Sequence, residues 1–127
     1  MSNDIFGLAG SALKLSEDRA VLLTSNLVNA STPHFKAKDI DFNKALKEAG
    51  NGGGTLLKTN AAHITPSSEV GGTTALYRVP NQTSLDGNTV DDEIERKNFI
   101  ENALHYQVNL TFVQNKASEL MKAIKGE

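Results

Sequence analysis

Apolar side chains recur at alternating intervals of three and four residues over long stretches at both ends of this 127-residue chain. The first set is Phe6, Ala9, Leu13, Ser16, Ala20, Leu23, Leu27 and Ala30. The second is Phe99, Ala103, Tyr106, Leu110, Val113, Ala117, Leu120 and Ile124. A 3-4 spacing is the seam of a left-handed helical pair. It predicts a helix over 4–30, roughly 40 Å long, and another over 91–125, roughly 50 Å long. Each stripe has no other large apolar partner in the sequence. The fold class expected is therefore mainly α, with the long N- and C-terminal helices paired as an antiparallel coiled coil around a small irregular, β-containing middle segment.

The helix ends carry their own signals. Pro33 stops the first helix, because the residue before a proline avoids helical backbone angles. Asp91, Asp92, Glu93 and Glu95 crowd the start of the last helix, where the dipole favours negative charge. Lys122 and Lys125 occupy its last turn, and Gly126 follows. Asp91 is placed to cap it, after a turn at Asp86, Gly87 and Asn88.

The middle predicts less. Asp41 can cap a short helix over 41–49 with Phe42, Ala45, Leu46 and Ala49 on one face, and Gly50 can supply a left-handed C-terminal position. A Gly-rich loop spans 50–55. Short β-prone pieces follow at 55–58 and 75–79, enough for a small hairpin at most. The organisation expected is 1–33 with 91–127 as a paired-helix domain and 34–90 as a side segment. Leu8, Leu15, Leu22, Ile100, Leu104, Phe112 and Met121 lie beyond a strict two-helix seam. That surplus argues for packing against further chains.

Composition narrows the function. Thirteen basic and fifteen acidic residues are interspersed, giving a net charge of −2 and no basic stripe for nucleic acid. No run is apolar enough to span a membrane. Met1–Leu8 has no basic n-region and no cleavage site follows an apolar core, so a Sec signal peptide is not expected. There is no Cys, hence no disulfide and no thiolate. His34, His63 and His105 lack metal-ligand spacing, and Gly52-Gly53-Gly54 lacks the Lys-Ser/Thr of a phosphate loop. Asp86, Gly87, Asn88 and Asp91 lack the calcium-loop pattern and read as a turn plus a cap. No enzyme, metal or cofactor is expected.

Asn26-x-x-Asn29-x-x-Thr32-Pro33-x-Phe35 resembles the Asn-x-x-Asn-x-x-Thr-Pro/Gly-x-Tyr/Phe signature of the bacterial flagellar axial proteins. Phe35–Phe42, Leu57-Lys58-Thr59 with His63-Ile64, Tyr77-Arg78-Val79-Pro80 with Ser84–Asp91, and Tyr106-Gln107 are similar in order and spacing to the proximal-rod members of that family. His34 stands where Gly is common, and Thr83 where Pro is common.

The resemblance implies a structural subunit of the basal-body rod, the drive shaft crossing the periplasm. Such a subunit is exported unfolded by the flagellar type III apparatus without a cleaved signal. Its implied partners are other copies of itself, the rod proteins FlgC and FlgF and the junction protein FliE. Phe42 and Leu46 match the Phe-x-x-x-hydrophobic element that export gates recognise in early axial substrates, and they also form one face of the short helix. Asn26 and Asn29 finish the first helix and are expected to bridge to a neighbouring segment. Phe6, Leu13, Leu23, Leu27, Phe99, Tyr106, Leu110, Val113, Leu120 and Ile124 are the expected packing and assembly positions. The competing function is a helical adaptor or chaperone that binds partners through its coiled coil.

Overall fold

The computed structural model describes residues 6–50, 69–70 and 73–126. Two long helices, α1 (Gly7–Val28) and α3 (Asp92–Lys125), pack antiparallel, with the short helix α2 (Phe42–Gly50) against α1. Strands β1 (Lys38–Asp39) and β4 (Leu76–Tyr77) form one antiparallel pair, in which Lys38 faces Tyr77 and Asp39 faces Leu76. Strands β2 (Glu69–Val70) and β3 (Thr73–Thr74) form another. The expected mainly helical class, with paired terminal helices and a small sheet between them, is the fold observed.

The ends form for the reasons the sequence supplies. The Asp91 carboxylate accepts from the N–H groups of Glu93 and Ile94 at 3.1 and 3.3 Å, satisfying two amides that have no partner within the helix. Gly126, at φ 74°, closes the other end by donating its N–H to the Lys122 carbonyl. Asp41 caps α2 through the Lys44 N–H at 3.1 Å. Gly50 departs from expectation. It is the last residue of α2 and is not among the described glycines with positive φ. The Gly-rich loop beyond it and the strand expected at 55–58 lie outside the described residues.

The strand expected at 75–79 is there as β4, but its partner is β1, a segment with no β-prone residue. Pairing supplies what propensity does not. The Arg78 N–H extends the ladder to the Ala37 carbonyl at 2.9 Å. The Lys38 ammonium sits 5.2 Å from the Tyr77 ring centre.

The apolar core is small. Among the described residues the buried apolar side chains are Ala12, Leu15, Leu22, Leu23, Ala37 and Ile40. Leu15, Leu22 and Ile40 form its centre, with Phe42, Ala45, Leu46 and Ala75 packed against them. Leu15 and Leu22, which the sequence assigns to another chain, are thus covered within this one. Six buried apolar residues, two of them alanine, cannot alone hold helices this long. Polar contacts supply much of the specificity.

Candidate functional site

The helix pair has an inner face and an outer one, and on α3 their chemistry is inverted relative to the stripe read from the sequence. On α3 the buried residues are Glu95 (0% exposed) and Asn102 (3%). Asn109 is half-buried in the same row. Asn102 donates to the Ser16 carbonyl at 2.8 Å, and Asn109 donates to the Ser16 hydroxyl at 3.2 Å. Ser16 is small enough for the helices to approach, and its hydroxyl also donates to the Ala12 carbonyl at 2.9 Å.

The predicted seam of α3 is rotated off this face. Phe99 and Ala103 are exposed, and Ile124 is 83% exposed. Tyr106, Leu110, Val113, Ala117 and Leu120 are half-buried. On α1 the expected positions fare unevenly. Leu23 is fully buried, Leu13 and Leu27 are half-buried, and Phe6 is exposed. The reason is that the strongest apolar row of α3, Ile100, Leu104, Val108 and Phe112 at four-residue intervals, points to solvent. An apolar period locates a stripe, but not the partner it faces.

Behind this face four charges and an amide form a knot in which Glu95 and Asn26 are buried and Arg19, Asp39 and Arg78 half-buried. Arg19 grips Asp39 with two bonds, Nε to Oδ1 at 2.9 Å and Nη2 to Oδ2 at 3.0 Å. Arg78 joins Asp39 at 2.8 Å and also contacts the Glu95 carboxylate. Asn26 completes the knot. Its amide NH₂ donates to Glu95 at 3.1 Å and to the Lys38 carbonyl at 2.8 Å, while its oxygen accepts from the Lys38 N–H at 3.1 Å. Two positive and two negative groups balance. The knot joins α1, β1, the residue after β4, and α3. Burial by itself would raise the Asp39 carboxyl. Hydrogen bonds from Arg19 and Arg78, the Arg19 charge and the Ile40 N–H outweigh it and hold the group below its ordinary value.

The two motif asparagines divide the labour. Asn26 bridges segments. Asn29 works locally, donating to the Ser25 carbonyl at 2.8 Å and accepting from the Thr32 hydroxyl at 3.1 Å. Thr32 and Pro33 are exposed and Phe35 is half-buried. The loop before α3 then wraps the end of α1. The Asn88 amide lies 2.9–3.0 Å from the carbonyl oxygens of Asn29, Ala30 and Thr32. Its own oxygen accepts from Val90 N–H at 2.8 Å. Ser84 and the Asn88 N–H hold Asp86, whose carboxyl is lowered chiefly by the Ser84 hydroxyl and then by that N–H. Gly87 stands at φ 74° and His34 at φ 61°, so the turn brings two left-handed residues together.

Phe42 and Leu46 are half-buried on the inner face of α2. The Phe42 ring lies 6.4 Å from the His105 ring. Two open grooves flank the long pair. One, about 510 Å³, is lined by Ser16, Glu17, Ala20, Phe99, Asn102, Ala103, Tyr106 and Gln107. The other, about 650 Å³, lies between Phe6, Leu8, Ala9 and Ala12 of the N-terminal stretch, Leu46, and the Asn109–Glu119 part of α3. Among the described residues no group of three or more acidic or His side chains is placed to hold a metal. None of the described helices is long and apolar enough to cross a membrane.

Sequence reasoning missed Arg19, Asp39, Arg78 and Glu95. One signal was present. Glu95, Asn102 and Asn109 on α3 recur every seven residues. This is one interior row of the pair, written in polar residues.

No family model matches the chain. Its relatives are nonetheless close over nearly its whole length. It is 48% identical over 124 residues to the flagellar basal body rod protein FlgB of Cereibacter sphaeroides, spanning 98% of this chain and 96% of that one. To FlgB of Aeromonas hydrophila it is 46% identical, spanning 96% and 93%. To FlgB of Salmonella typhimurium it is 39% identical, spanning 91% and 88%. Identity at this level from end to end, with the axial motif built into the knot and the cap, places the chain in the FlgB family of flagellar basal body rod proteins.

Proposed function

We propose that this chain is a subunit of the proximal rod and carries torque along the drive shaft across the periplasm. The observation that supports this is the inversion of the helix pair. The inward face of α3 is polar and hydrogen-bonded, whereas its Ile100, Leu104, Val108 and Phe112 form an apolar ridge facing solvent. A ridge of that kind is stable in water only at a cost, and burial against neighbouring helices removes it. The neighbours are other copies of the chain and the rod proteins FlgC and FlgF, with FliE at the junction. In this reading the paired helices, 1–33 with 91–127, form the shaft, and 34–90 forms a side segment keyed to it.

The subunit reaches the periplasmic rod through the flagellar type III export apparatus without a cleaved signal peptide. Phe42 and Leu46 serve the export gate while the chain is unfolded and pack on α1 afterwards. Imaging of purified basal bodies carrying a tagged copy of this subunit tests the reading. Density for the tag at the membrane-proximal end of the rod is the expected result. A soluble dimer absent from basal bodies would favour the adaptor alternative.

A further inference from the structure

The polar row on α3, Glu95, Asn102 and Asn109, repeats every seven residues, and on α1 it meets Asn26 and Ser16. Seven residues are two turns of a paired helix. Sliding α3 by one heptad, roughly 10 Å, brings Asn102 to the place of Glu95 and Asn109 to the place of Asn102. An asparagine beside Asn26 can exchange amide hydrogen bonds with it. Another beside the Ser16 carbonyl is what that carbonyl already has. The repeat alone does not separate the native alignment from its neighbours.

One residue breaks the degeneracy. Glu95 is the charged member of the row, has no exposed surface, and has donors on both sides, Asn26 from α1 and Arg78 from the end of β4. We propose that Glu95 is the register key of the α1–α3 pair. A slip in one direction carries its carboxylate to the Ser16 carbonyl, acceptor against acceptor. A slip in the other direction leaves the half-buried Arg78 guanidinium facing an amide instead of a carboxylate. The first slip strips a buried carboxylate of its counter-charge, and the second leaves Arg78 with Asp39 as its one acidic partner; both are more costly than exchanging one amide for another. This inference concerns the fold itself and stands apart from the rod reading.

The Asn88 clamp also tethers the start of α3 to the end of α1, so the test removes that tether first. The sequence has no Cys, so spin labels on Lys14→Cys and Lys97→Cys, both exposed positions, report one distance without background. The full chain with Asn88→Ala is expected to show the native separation alone. Adding Glu95→Gln is expected to populate a second separation displaced by about one heptad, at about a tenth of the molecules or more. Moving the key, Glu95→Asn with Asn102→Glu, keeps the composition and is expected to make the displaced separation dominant. A single unchanged separation in these folded variants would overturn the proposal, as would two separations in Asn88→Ala alone. Loss of helical circular dichroism in both Glu95 variants would assign the residue to folding rather than alignment, and would overturn it too.

Discussion

Asn26 on α1 and Glu95 on α3 stand 69 residues apart in sequence and meet side chain to side chain at 3.1 Å, both closed off from solvent. Asn26 is a donor there, and only a donor fits. Asn26→Asp would set two carboxylates against each other in a buried place and is expected to lower stability by about 3 kcal/mol or more. Asn29→Ala removes a local cap and should cost about 1 kcal/mol. Urea unfolding of the two variants measures the difference. Equal losses would mean that the bridge contributes no more than a cap.

The depressed Asp39 carboxyl gives the fold an acid limit. A carboxylate held below its unfolded value, about 4, contributes stability that is complete above that pH. The contribution is lost as pH falls from there through the lower folded value. Thermal midpoints are therefore expected to fall as pH drops below about 4. Asp39→Asn should be less stable at neutral pH and should show a shallower acid slope. An unchanged slope would show that other carboxylates set the acid limit.

His34 and Gly87 are coupled through backbone and contact. A Cβ on Gly87 would lie 2.9 Å from His34 Nδ1, at a φ that already disfavours side chains. Gly87→Ala is expected to cost about 1–2 kcal/mol. His34→Gly relieves a left-handed residue and should gain about 0.5 kcal/mol after the added freedom of the unfolded chain is deducted. In the double variant the Gly87→Ala penalty should shrink, because the clashing ring is gone. A double-mutant cycle by denaturant unfolding reads that coupling, and strict additivity would place the strain in the backbone alone.

The outer ridge and the inner seam separate folding from assembly. Leu104→Asp and Phe112→Asp alter side chains that are more than half exposed, so the purified subunit should keep its stability within about 0.5 kcal/mol. Incorporation into basal bodies, and swimming, should be lost. Leu23→Asp buries a carboxylate at a fully closed position and should abolish the fold itself. Normal motility with both ridge variants at normal abundance would remove the ridge from assembly.

Phe42→Ala tests the two roles of α2. Loss of a half-buried ring packed on Leu15, Leu22 and Ile40 should cost about 2 kcal/mol in the folded subunit. If the unfolded chain also presents Phe42 to the export gate, the exported fraction should fall more than in Ala45→Gly, a second lesion in the same core. Matching export of the two variants would leave Phe42 with packing alone.

The ends of α3 were legible because each is written in one residue with a single mechanism, Asp91 and Gly126, whereas α1 closes at Asn29, four residues before the expected stop at Pro33. The antiparallel pair was legible too, since two long periodic segments in one short chain have few other ways to hide. The face each helix turns inward was not. Phe99 and Ile124 obey the period and lie outside, because a period locates a stripe on a helix and not the side from which it is covered. Strand β1 was invisible for a different reason. Lys38 and Asp39 are extended by their pairing with Tyr77 and Leu76, a tertiary cause with no local trace. Arg19 and Glu95 look like ordinary solvated helix charges until Arg78 and Asp39 are brought beside them.

The clamp at the end of α1 also sets an order of events. Asn29, Ala30 and Thr32 leave the ribosome long before Asn88, which follows Asn29 by 59 residues. Until it arrives, the Ala30 carbonyl has only water for a partner, and those of Asn29 and Thr32 have one local backbone N–H each, from Thr32 and Phe35. A nascent chain therefore carries an unclamped first helix end while the 59 residues to Asn88 are made, and that end closes only when the start of the last helix is delivered to it. A chain finished from its far end is easy to keep open while it is still being made.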